Sequence, residues 1–168
     1  MNKTKFTGYA VDCTGGYNAS VAGMTMDHAF VASDAGDNWN CWGRGKETIG
    51  NAARALAGGT GTGYAEWANK IYGDPNYPTG LVQYVDGVCQ HAANRLLALA
   101  GGDVSEANGN VAATVLYGKF GYRLNDFVTN VQEAARSLQI PDAEVAVVLN
   151  RLGGASNDVA VLERHFSS

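Results

Sequence analysis

The stretch "MDHAFVASDAGDNWNCWGRG" (Met26–Gly45) determines the fold that we expect for the amino-terminal half of the chain. Two short runs of aromatic, small and β-branched residues flank a cluster of Gly, Asp and Asn residues, a pattern typical of a β-hairpin. The run "HAFVASD" (28–34) predicts the first strand, and "WNCWGRG" (39–45) predicts the strand that returns. His28, one of three histidines in the chain, opens the first strand. Its role depends on which side chain lies within its reach.

The segments around this hairpin predict an α+β domain. The run "KFTGYAVDC" (5–13) predicts a further strand, so that three early strands form an antiparallel meander. Downstream, apolar residues at helical spacing, bounded by Gly and Pro, predict several helices. We expect helices at 46–57, 63–73, 88–100, 124–139 and 141–154, either a helix or a strand at 110–123, and a short helix or strand at 156–166. Strands followed by a run of helices indicate an α+β fold, here a small antiparallel sheet with several packed helices.

Length and composition limit the classes of protein that the chain can belong to. Its 168 residues fit one domain, and a hydrophobic content of 46% is enough for one packed core. The net charge of −4 and the lack of a basic run argue against a nucleic-acid partner. No apolar stretch is long enough for a transmembrane segment. Since no long apolar run follows the positively charged start, we expect a cytoplasmic protein, or one exported without a cleaved signal peptide.

The three cysteines, Cys13, Cys41 and Cys89, form no CxxC motif. Three free thiols are therefore expected in preference to one disulfide and one free thiol. A zinc site made of these cysteines and His91 would lack the ligand spacing of zinc fingers and ribbons. The run "GTGTG" (59–63) is followed by no lysine and is expected to come after a helix, so it does not predict a phosphate-binding loop. We expect neither a metal nor an organic cofactor.

One cysteine occupies a position that favours reactivity. The run "DGVCQHAAN" (86–94) places Cys89 within the first turn of a predicted helix, with Asp86 as its expected N-cap. The N–H groups and the dipole of a helix start stabilise an anion, so the pKa of the Cys89 thiol is expected to fall. The same N–H groups could hold a developing oxyanion. His28, on a strand packed beside this helix, could act as the base. In the alternative interpretation, Cys89 is a small core residue and His28 a structural residue of the strand.

A third polar group usually orients the imidazole in such a site, and Asn40 is the candidate. It lies on the return strand of the hairpin, twelve residues after His28. Side chains alternate across a strand, so the face of Asn40 depends on the length of the turn. A three- or five-residue turn puts Asn40 or Asn38 on the face of His28. A two- or four-residue turn puts Cys41 or Trp39 there instead.

The strand "HAFVASD", the polar residue twelve positions on and the later "DGVCQHAAN" together resemble the circularly permuted NlpC-type papain-like cysteine hydrolases. The order His28, Asn40, Cys89 is that of the permuted members, which include the lecithin retinol acyltransferase-like branch. The tripeptide Cys89-Gln90-His91 is similar to the Cys-x-His of acyltransferase-like members. The resemblance implies that Cys89 is the nucleophile, that His28 is the base and that Asn40 orients it.

The resemblance extends over about residues 5–100 of the 168 residues. It implies a permuted papain-like core at 1–102, with 103–168 as a largely helical extension of the same domain. It also implies a hydrolase or acyltransferase that acts on an amide, ester or thioester bond through an acyl-enzyme. Peptides and peptidoglycan are the substrates of the wider superfamily, and lipid acyl chains are those of the permuted branch.

The aromatic residues that precede Cys89 are candidates for the wall of a substrate cleft. Tyr77 and Tyr84 are expected there, with Gln90 as a further substrate-binding residue. Gln90, His91 and Asn94 fall on the polar side of the predicted helix, where they are either solvated or tie down a neighbouring loop. Two other functions stay open: a non-catalytic binding or toxin-associated module, and a deamidase or transglutaminase-like effector that acts on a protein partner.

Overall fold

The computed structural model describes residues 1–11, 19–21, 24–47, 53–73, 81 and 85–154. Within these ranges the chain forms strands and helices in the order expected of an α+β fold. The strands are β1 (Thr4–Val11), β2 (Ala19–Val21), β3 (Met24–Met26), β4 (His28–Ser33), β5 (Asn38–Asn40), β6 (Gly43–Arg44) and β7 (Arg54–Gly63). The helices are α1 (Ala65–Gly73), α2 (Cys89–Leu97), α3 (Asn110–Tyr117), α4 (Leu124–Leu138) and α5 (Asp142–Gly154).

One antiparallel sheet organises the fold. Its five strands lie in the order β6-β5-β4-β1-β7, and β2 pairs with β3 in a separate two-stranded sheet. Strand β1 pairs with β4 along its length, from Phe6 opposite Ser33 to Val11 opposite His28. The predicted strands do lie side by side in one antiparallel sheet, with β1 directly beside β4, but the run at 39–45 forms two short strands, β5 and β6, and not the single strand expected. His28 lies at the end of the β1–β4 pairing.

The β4–β5 hairpin has a three-residue turn. Val31 pairs with Trp39, and the N–H of Ser33 donates to the carbonyl of Asp37 at 2.9 Å. Gly36 in the turn has φ +94°, a conformation that a residue with a Cβ rarely adopts. With this turn length, the alternation of side chains places Asn40 on the same face as His28.

The helix predicted at 46–57 is wrong at its carboxyl end, because the chain from Arg54 onward forms the edge strand β7; residues 48–52 lie outside the described residues. The glycines of β7 explain why this segment forms a strand, although local propensity favours a helix. A Cβ at Gly61 would lie 2.0 Å from the carbonyl oxygen of Ala100, so only glycine lets the segment after α2 approach the strand backbone. The N–H of Thr62 donates to that same oxygen at 3.1 Å. The run "GTGTG" is thus a strand, not a loop after a helix, and tertiary contacts override the helix-favouring Ala and Leu before it.

The other predicted helices are confirmed, with their ends shifted by a few residues. Helices α1, α4 and α5 match the segments predicted at 63–73, 124–139 and 141–154. Helix α2 ends at Leu97, earlier than expected, and the ambiguous segment at 110–123 begins with α3. The short element predicted at 156–166 lies outside the described residues.

Helix α2 is the central element of the core. It packs against β4 and β5 and also reaches β1 and β7, while α4 packs against α1 and α5. All nine residues of α2 are buried. Burial of each large apolar side chain stabilises the fold by roughly 1.5–3 kcal/mol. The largest fully buried apolar side chains around α2 include Phe6, Trp39, Trp67, Leu96, Leu97 and Phe127. The buried polar side chains of this helix therefore need partners within the protein.

None of the helices in the described ranges is long and apolar enough to cross a membrane.

Candidate active site

Strand β4 opens with a histidine that contacts a carboxylate. Nε2 of His28 hydrogen-bonds Oε1 of Glu47, and the side chain of each residue is only 1% exposed. A carboxylate on one ring nitrogen fixes the orientation of an imidazole and stabilises its protonated form. Glu47 therefore occupies the orienting position that the sequence analysis assigned to Asn40.

Asn40 acts on Glu47 instead of on the histidine. Its Nδ2 donates to Oε1 of Glu47 at 3.0 Å, and its Oδ1 accepts the backbone N–H of Trp42 at 2.8 Å. The backbone N–H of Glu47 in turn donates to Oδ1 of Asn38 at 3.1 Å. The prediction that Asn40 orients His28 is corrected: Asn40 lies on the expected face, but it holds the carboxylate that contacts the imidazole.

Glu47 is not recognisable as a site residue from the sequence, because the pattern at 46–57 predicts a helix. A glutamate that follows a glycine-rich turn carries no periodicity that would mark it as buried. Its 6% exposed fraction is the unusual feature, because glutamate is almost never buried without a partner. Its partner, His28, becomes evident only in the folded chain, where Glu47 lies beside the start of β4.

Cys89 is the first residue of α2, as the sequence predicts, and it is 4% exposed. Helix α2 packs on β4, which brings Cys89 close to His28. Burial by itself lowers the pKa of His28, but hydrogen bonds to Cys89 and Glu47 outweigh it and raise the pKa to about 9. A pKa of about 9 favours the protonated imidazole at neutral pH.

A second thiol contacts Cys89. Cys41 lies in the turn between β5 and β6, and its Sγ is 3.2 Å from Sγ of Cys89. Hydrogen bonding to Cys89, together with burial, raises the pKa of Cys41, so this residue keeps its proton. The two sulfurs share a hydrogen bond, in which Cys41 is the donor when Cys89 is ionised.

An exposed tryptophan covers His28 from the solvent side. The rings of Trp42 and His28 stack with centroids 5.9 Å apart, and Trp42 is 59% exposed. The ring of Phe30 lies 6.0 Å from the imidazole. A protonated imidazole beside an aromatic face gains cation–π stabilisation. Trp42 offers a flat apolar surface next to the reactive groups.

The start of α2 is capped by His91 and not by Asp86. Val88 is the N-cap residue, and its N–H donates to Nδ1 of His91 at 2.8 Å. Burial lowers the pKa of His91 to about 4, which leaves Nδ1 as an acceptor at neutral pH. The prediction that Asp86 caps the helix is wrong, since the cap residue directly precedes the first helical residue, Cys89. Asp86 instead forms an ion pair with Arg123.

Gln90 has a different position from the one expected of a substrate-binding residue. Its Nε2 donates to the carbonyls of Asp27 at 3.1 Å and of Asn108 at 2.8 Å, and its Oε1 accepts from Asn110 at 2.9 Å. The residue is fully buried. Both ends of the amide thus join α2 to neighbouring segments, which leaves no atom directed at a ligand.

The next polar residues of α2 also tie down neighbouring segments, which was one of the two alternatives. Asn94 donates to the carbonyl of Lys119 at 3.0 Å and accepts the N–H of Val104 at 2.8 Å. Arg95 donates to the carbonyls of Phe120 and Tyr122, both at 2.6 Å. Helix α2 is thereby fixed on all sides, which holds Cys89 rigidly against the sheet.

The remaining candidates from the sequence cannot be placed. Tyr77, Tyr84 and Cys13 lie outside the described residues. Across the part of the chain that the structure describes, no group of three or more His, Cys, Asp or Glu side chains is arranged to hold a metal ion.

Comparison with known proteins adds no further constraint. The chain matches no protein-family model, and neither a curated protein nor a solved structure is significantly similar to it. Its function must therefore be argued from the cluster of His28, Glu47, Cys41 and Cys89 itself.

Proposed function

We propose that the chain is a cysteine hydrolase or acyltransferase that attacks an amide, ester or thioester carbonyl through the sulfur of Cys89. The observation that carries this proposal is the cluster around His28: its Nε2 hydrogen-bonds Glu47, and Cys89 lies close enough to raise the pKa of the imidazole. A nucleophile, an acid–base group and a carboxylate are the three groups of a catalytic triad. This reading is consistent with a permuted papain-like core.

The charge state of the histidine favours an ion pair at rest. With the pKa of His28 raised to about 9, the imidazole holds a proton at neutral pH, and Cys89 can supply it. The helix start adds the positive end of the α2 dipole beside the sulfur. A thiolate is the nucleophilic form of cysteine, so both features favour attack.

The reaction then proceeds through an acyl-enzyme. The Cys89 thiolate adds to the carbonyl carbon, and the negative charge that develops on oxygen is stabilised at the amino-terminal end of α2. Collapse of this intermediate breaks the bond to the leaving group, which takes the proton from the His28 imidazolium. The neutral imidazole next removes a proton from water, or from another acceptor in a transferase, as that nucleophile attacks the thioester.

The neighbouring residues have supporting roles in this scheme. Glu47 keeps the ring of His28 in place through both protonation states, and Asn40 holds Glu47. Trp42 lies beside His28 with more than half of its surface exposed, so it is the described residue best placed to contact an apolar part of the substrate. Peptide, peptidoglycan and lipid acyl substrates all fit this chemistry.

Site-specific alkylation tests the proposal without knowledge of the substrate. The folded chain is treated with iodoacetamide at neutral pH, and the labelling of each cysteine is followed by mass spectrometry. We expect Cys89 to react much faster than Cys41 and Cys13, and His28→Ala to slow Cys89 selectively. Glu66→Gln, a change at an exposed carboxylate of α1, serves as the matched control and should leave the rate unchanged.

Equally slow labelling of all three cysteines would instead support a non-catalytic binding module in which Cys89 and His28 are core residues. Peptide, lipid and glutamine substrates, tested with the wild type and with Cys89→Ala, then separate the enzymatic alternatives. Free amino termini indicate a peptidase, acyl transfer or release indicates a lipid substrate, and ammonia indicates a deamidase or transglutaminase-like effector. An acyl adduct on Cys89 under any of these conditions identifies the nucleophile directly.

A further inference from the structure

The contact between the sulfurs of Cys41 and Cys89 has no role in the reaction proposed above, in which Cys89 acts with His28. The two sulfurs are 3.2 Å apart, although 48 positions separate the residues in the sequence. A disulfide bond requires a separation of about 2.05 Å, so the sulfurs need to approach by only about 1 Å. Cys41 lies in the turn between β5 and β6. A small movement of its side chain there disrupts no ladder of hydrogen bonds between strands. The protein thus holds two thiols ready to be joined.

We propose that Cys41 is a resolving thiol that captures Cys89 after oxidation by a hydroperoxide, so that the candidate active site is closed by a reversible disulfide. The proposal rests on the proposed function only in requiring a nucleophilic thiolate at Cys89. It adds a modification site and a chemical class of oxidant to the cluster.

The two steps balance as follows. The Cys89 thiolate attacks the outer oxygen of the hydroperoxide, an S–O bond forms and the O–O bond breaks. The sulfur is oxidised to a sulfenic acid by two electrons, and the peroxide leaves as an alcohol, or as water, with the proton of His28. The sulfur of Cys41 then attacks Sγ of Cys89, the S–O bond breaks, and hydroxide leaves as water with the thiol proton of Cys41.

The surroundings of the two sulfurs suit this order of events. Cys89 is 4% exposed, so a small hydroperoxide has better access to it than a bulky oxidant. Cys89 is also the residue at the positive end of a helix and beside a protonated imidazole, where a thiolate is stabilised. Cys41 lies in the turn between β5 and β6, and its raised pKa keeps its proton in place while Cys89 carries the charge.

Oxidation of Cys89 also changes how easily the thiol of Cys41 ionises. A neutral sulfenic acid no longer holds the proton of Cys41 by charge, so the second thiol becomes easier to ionise at the moment when it must attack. Contact between the two sulfurs also favours the disulfide over further oxidation of Cys89 to the irreversible sulfinic acid. Cys41 therefore protects the nucleophile as well as switching it off.

Peptide mapping after peroxide treatment tests this inference on the full chain. The reduced protein is exposed to hydrogen peroxide in large molar excess over its thiols, enough to oxidise a cysteine to the sulfinic acid, then quenched with iodoacetamide and digested without reductant. We expect a linked peptide pair that contains Cys41 and Cys89, which dithiothreitol separates. Alkylation of Cys89 should disappear with peroxide and recover with dithiothreitol.

Two variants identify the role of each thiol. In Cys41→Ser, the linked pair is lost, Cys89 accumulates as sulfinic acid, and dithiothreitol restores less than a tenth of its alkylation. Cys13→Ser is the control, and it should form the same Cys41–Cys89 pair as the wild type. A disulfide that contains Cys13 instead, or full recovery of Cys89 in Cys41→Ser, would overturn the inference.

The failure of this inference differs from the failure of the proposed function. Rapid alkylation of Cys89 by iodoacetamide without a peroxide-induced link to Cys41 rejects the resolving role and leaves the nucleophile in place. A Cys89 that is inert to both reagents contradicts the proposed function as well. A disulfide that is present from the start and resists dithiothreitol would make the pair a structural crosslink, and both proposals would be wrong.

Discussion

Nε2 of His28 and Oε1 of Glu47 are hydrogen-bonded in a part of the molecule from which water is excluded, with each side chain 1% exposed. Burial of an imidazole and a carboxylate is unfavourable unless they pair with each other. Their pairing here is reinforced by Asn40, which donates to the same carboxylate oxygen. The contact therefore both stabilises the hairpin and sets the charge of the group that faces Cys89.

Glu47→Gln removes the carboxylate charge while nearly preserving the shape of the side chain. Since this charge is one of the interactions that raise the pKa of His28, less of the imidazolium remains to stabilise a Cys89 thiolate. We expect alkylation of Cys89 at neutral pH, and turnover of any substrate, to fall roughly 10²-fold, the size of a general acid–base contribution. Stopped-flow or quenched alkylation with mass spectrometry measures the rate.

Asn40→Ala is the comparison that separates orientation from charge. It leaves the carboxylate in contact with His28 but removes one of its hydrogen bonds, so its effect on the alkylation rate should be smaller than that of Glu47→Gln. If the two variants are equally impaired, Asn40 has a more direct role than the structure assigns to it. A rate in Glu47→Gln equal to that of the wild type would show that the carboxylate does not control the reactivity of Cys89.

The ionisation of His28 predicts a specific dependence on pH. Its pKa is raised from 6.5 to about 9, with hydrogen bonds to Cys89 and Glu47 as the raising causes against burial. In Cys89→Ala the first of these contributions is lost, so we expect the pKa of His28 to fall. NMR titration of the imidazole measures both values. His91 is an internal control, because burial lowers its pKa to about 4 in either protein.

The same shift predicts how stability depends on pH. Because the pKa of His28 is higher in the folded than in the unfolded chain, its contribution to stability is fully present below pH 6.5 and is lost as the pH rises through 9. The difference in unfolding midpoint between wild type and His28→Gln should therefore be largest below pH 6.5 and smaller above pH 9. A difference that grows with pH would mean that the imidazole is neutral in the folded protein.

The hairpin and the start of α2 could be predicted from the sequence because both depend on local signals. Gly and Asp residues mark the turn, alternation marks the strands, and the apolar spacing that follows Cys89 marks a helix. Asn40 reaches the face of His28 because the turn has three residues, one of the lengths considered. The alternation ends with β5 at Asn40, so it does not constrain Cys41 and Trp42 in the following turn.

Glu47 and β7 could not be predicted, for a different physical reason. Each is defined by what it meets across the fold: Glu47 by the ring of His28, and β7 by the long pairing with β1. Local propensity at 46–57 favours a helix, and nothing in the residues from Arg54 onward indicates that they form the edge strand of a sheet. The cap of α2 could not be predicted either. His91 accepts a hydrogen bond from the N–H of Val88, whereas Asp86, the expected cap, forms an ion pair with Arg123.

Substitution of Trp42 is expected to affect substrate binding, and substitution of Trp39 is expected to affect stability. Trp42 is 59% exposed beside His28, whereas Trp39 is 1% exposed and lies within the core. We expect Trp42→Ala to raise KM for substrates with an apolar group while changing the free energy of unfolding little. Trp39→Ala should cost about 3–5 kcal/mol of stability, as large-to-small changes in a core do. Steady-state kinetics and denaturant unfolding of both variants provide the comparison. An unchanged KM in Trp42→Ala across apolar substrates would exclude it as a substrate contact.

Gly87→Ala tests whether the cap provided by His91 positions the sulfur of Cys89. A Cβ at residue 87 would lie 2.7 Å from Nδ1 of His91, so the ring must move and its hydrogen bond with the N–H of Val88 must break. We expect a loss of about 1–3 kcal/mol in the free energy of unfolding, from the lost cap and the crowding, and slower alkylation of Cys89 as the first turn of α2 loosens. Gly73→Ala is the matched control, because its Cβ would meet only the long side chain of Arg44, at 3.3 Å.

A double-mutant cycle with His91→Ala identifies the cause of this loss. Removing the imidazole relieves the contacts at 2.7 and 2.8 Å and leaves only the Cβ of residue 91, at 3.0 Å, so Gly87→Ala should cost less in the His91→Ala background than in the wild type. Denaturant unfolding of the four proteins gives the coupling energy, and alkylation of Cys89 reports the state of the helix start in each. Additive losses would mean that the methyl group at residue 87 acts on the backbone itself. The start of α2, and with it Cys89, would then be held by the loop that precedes the helix and not by the neutral imidazole.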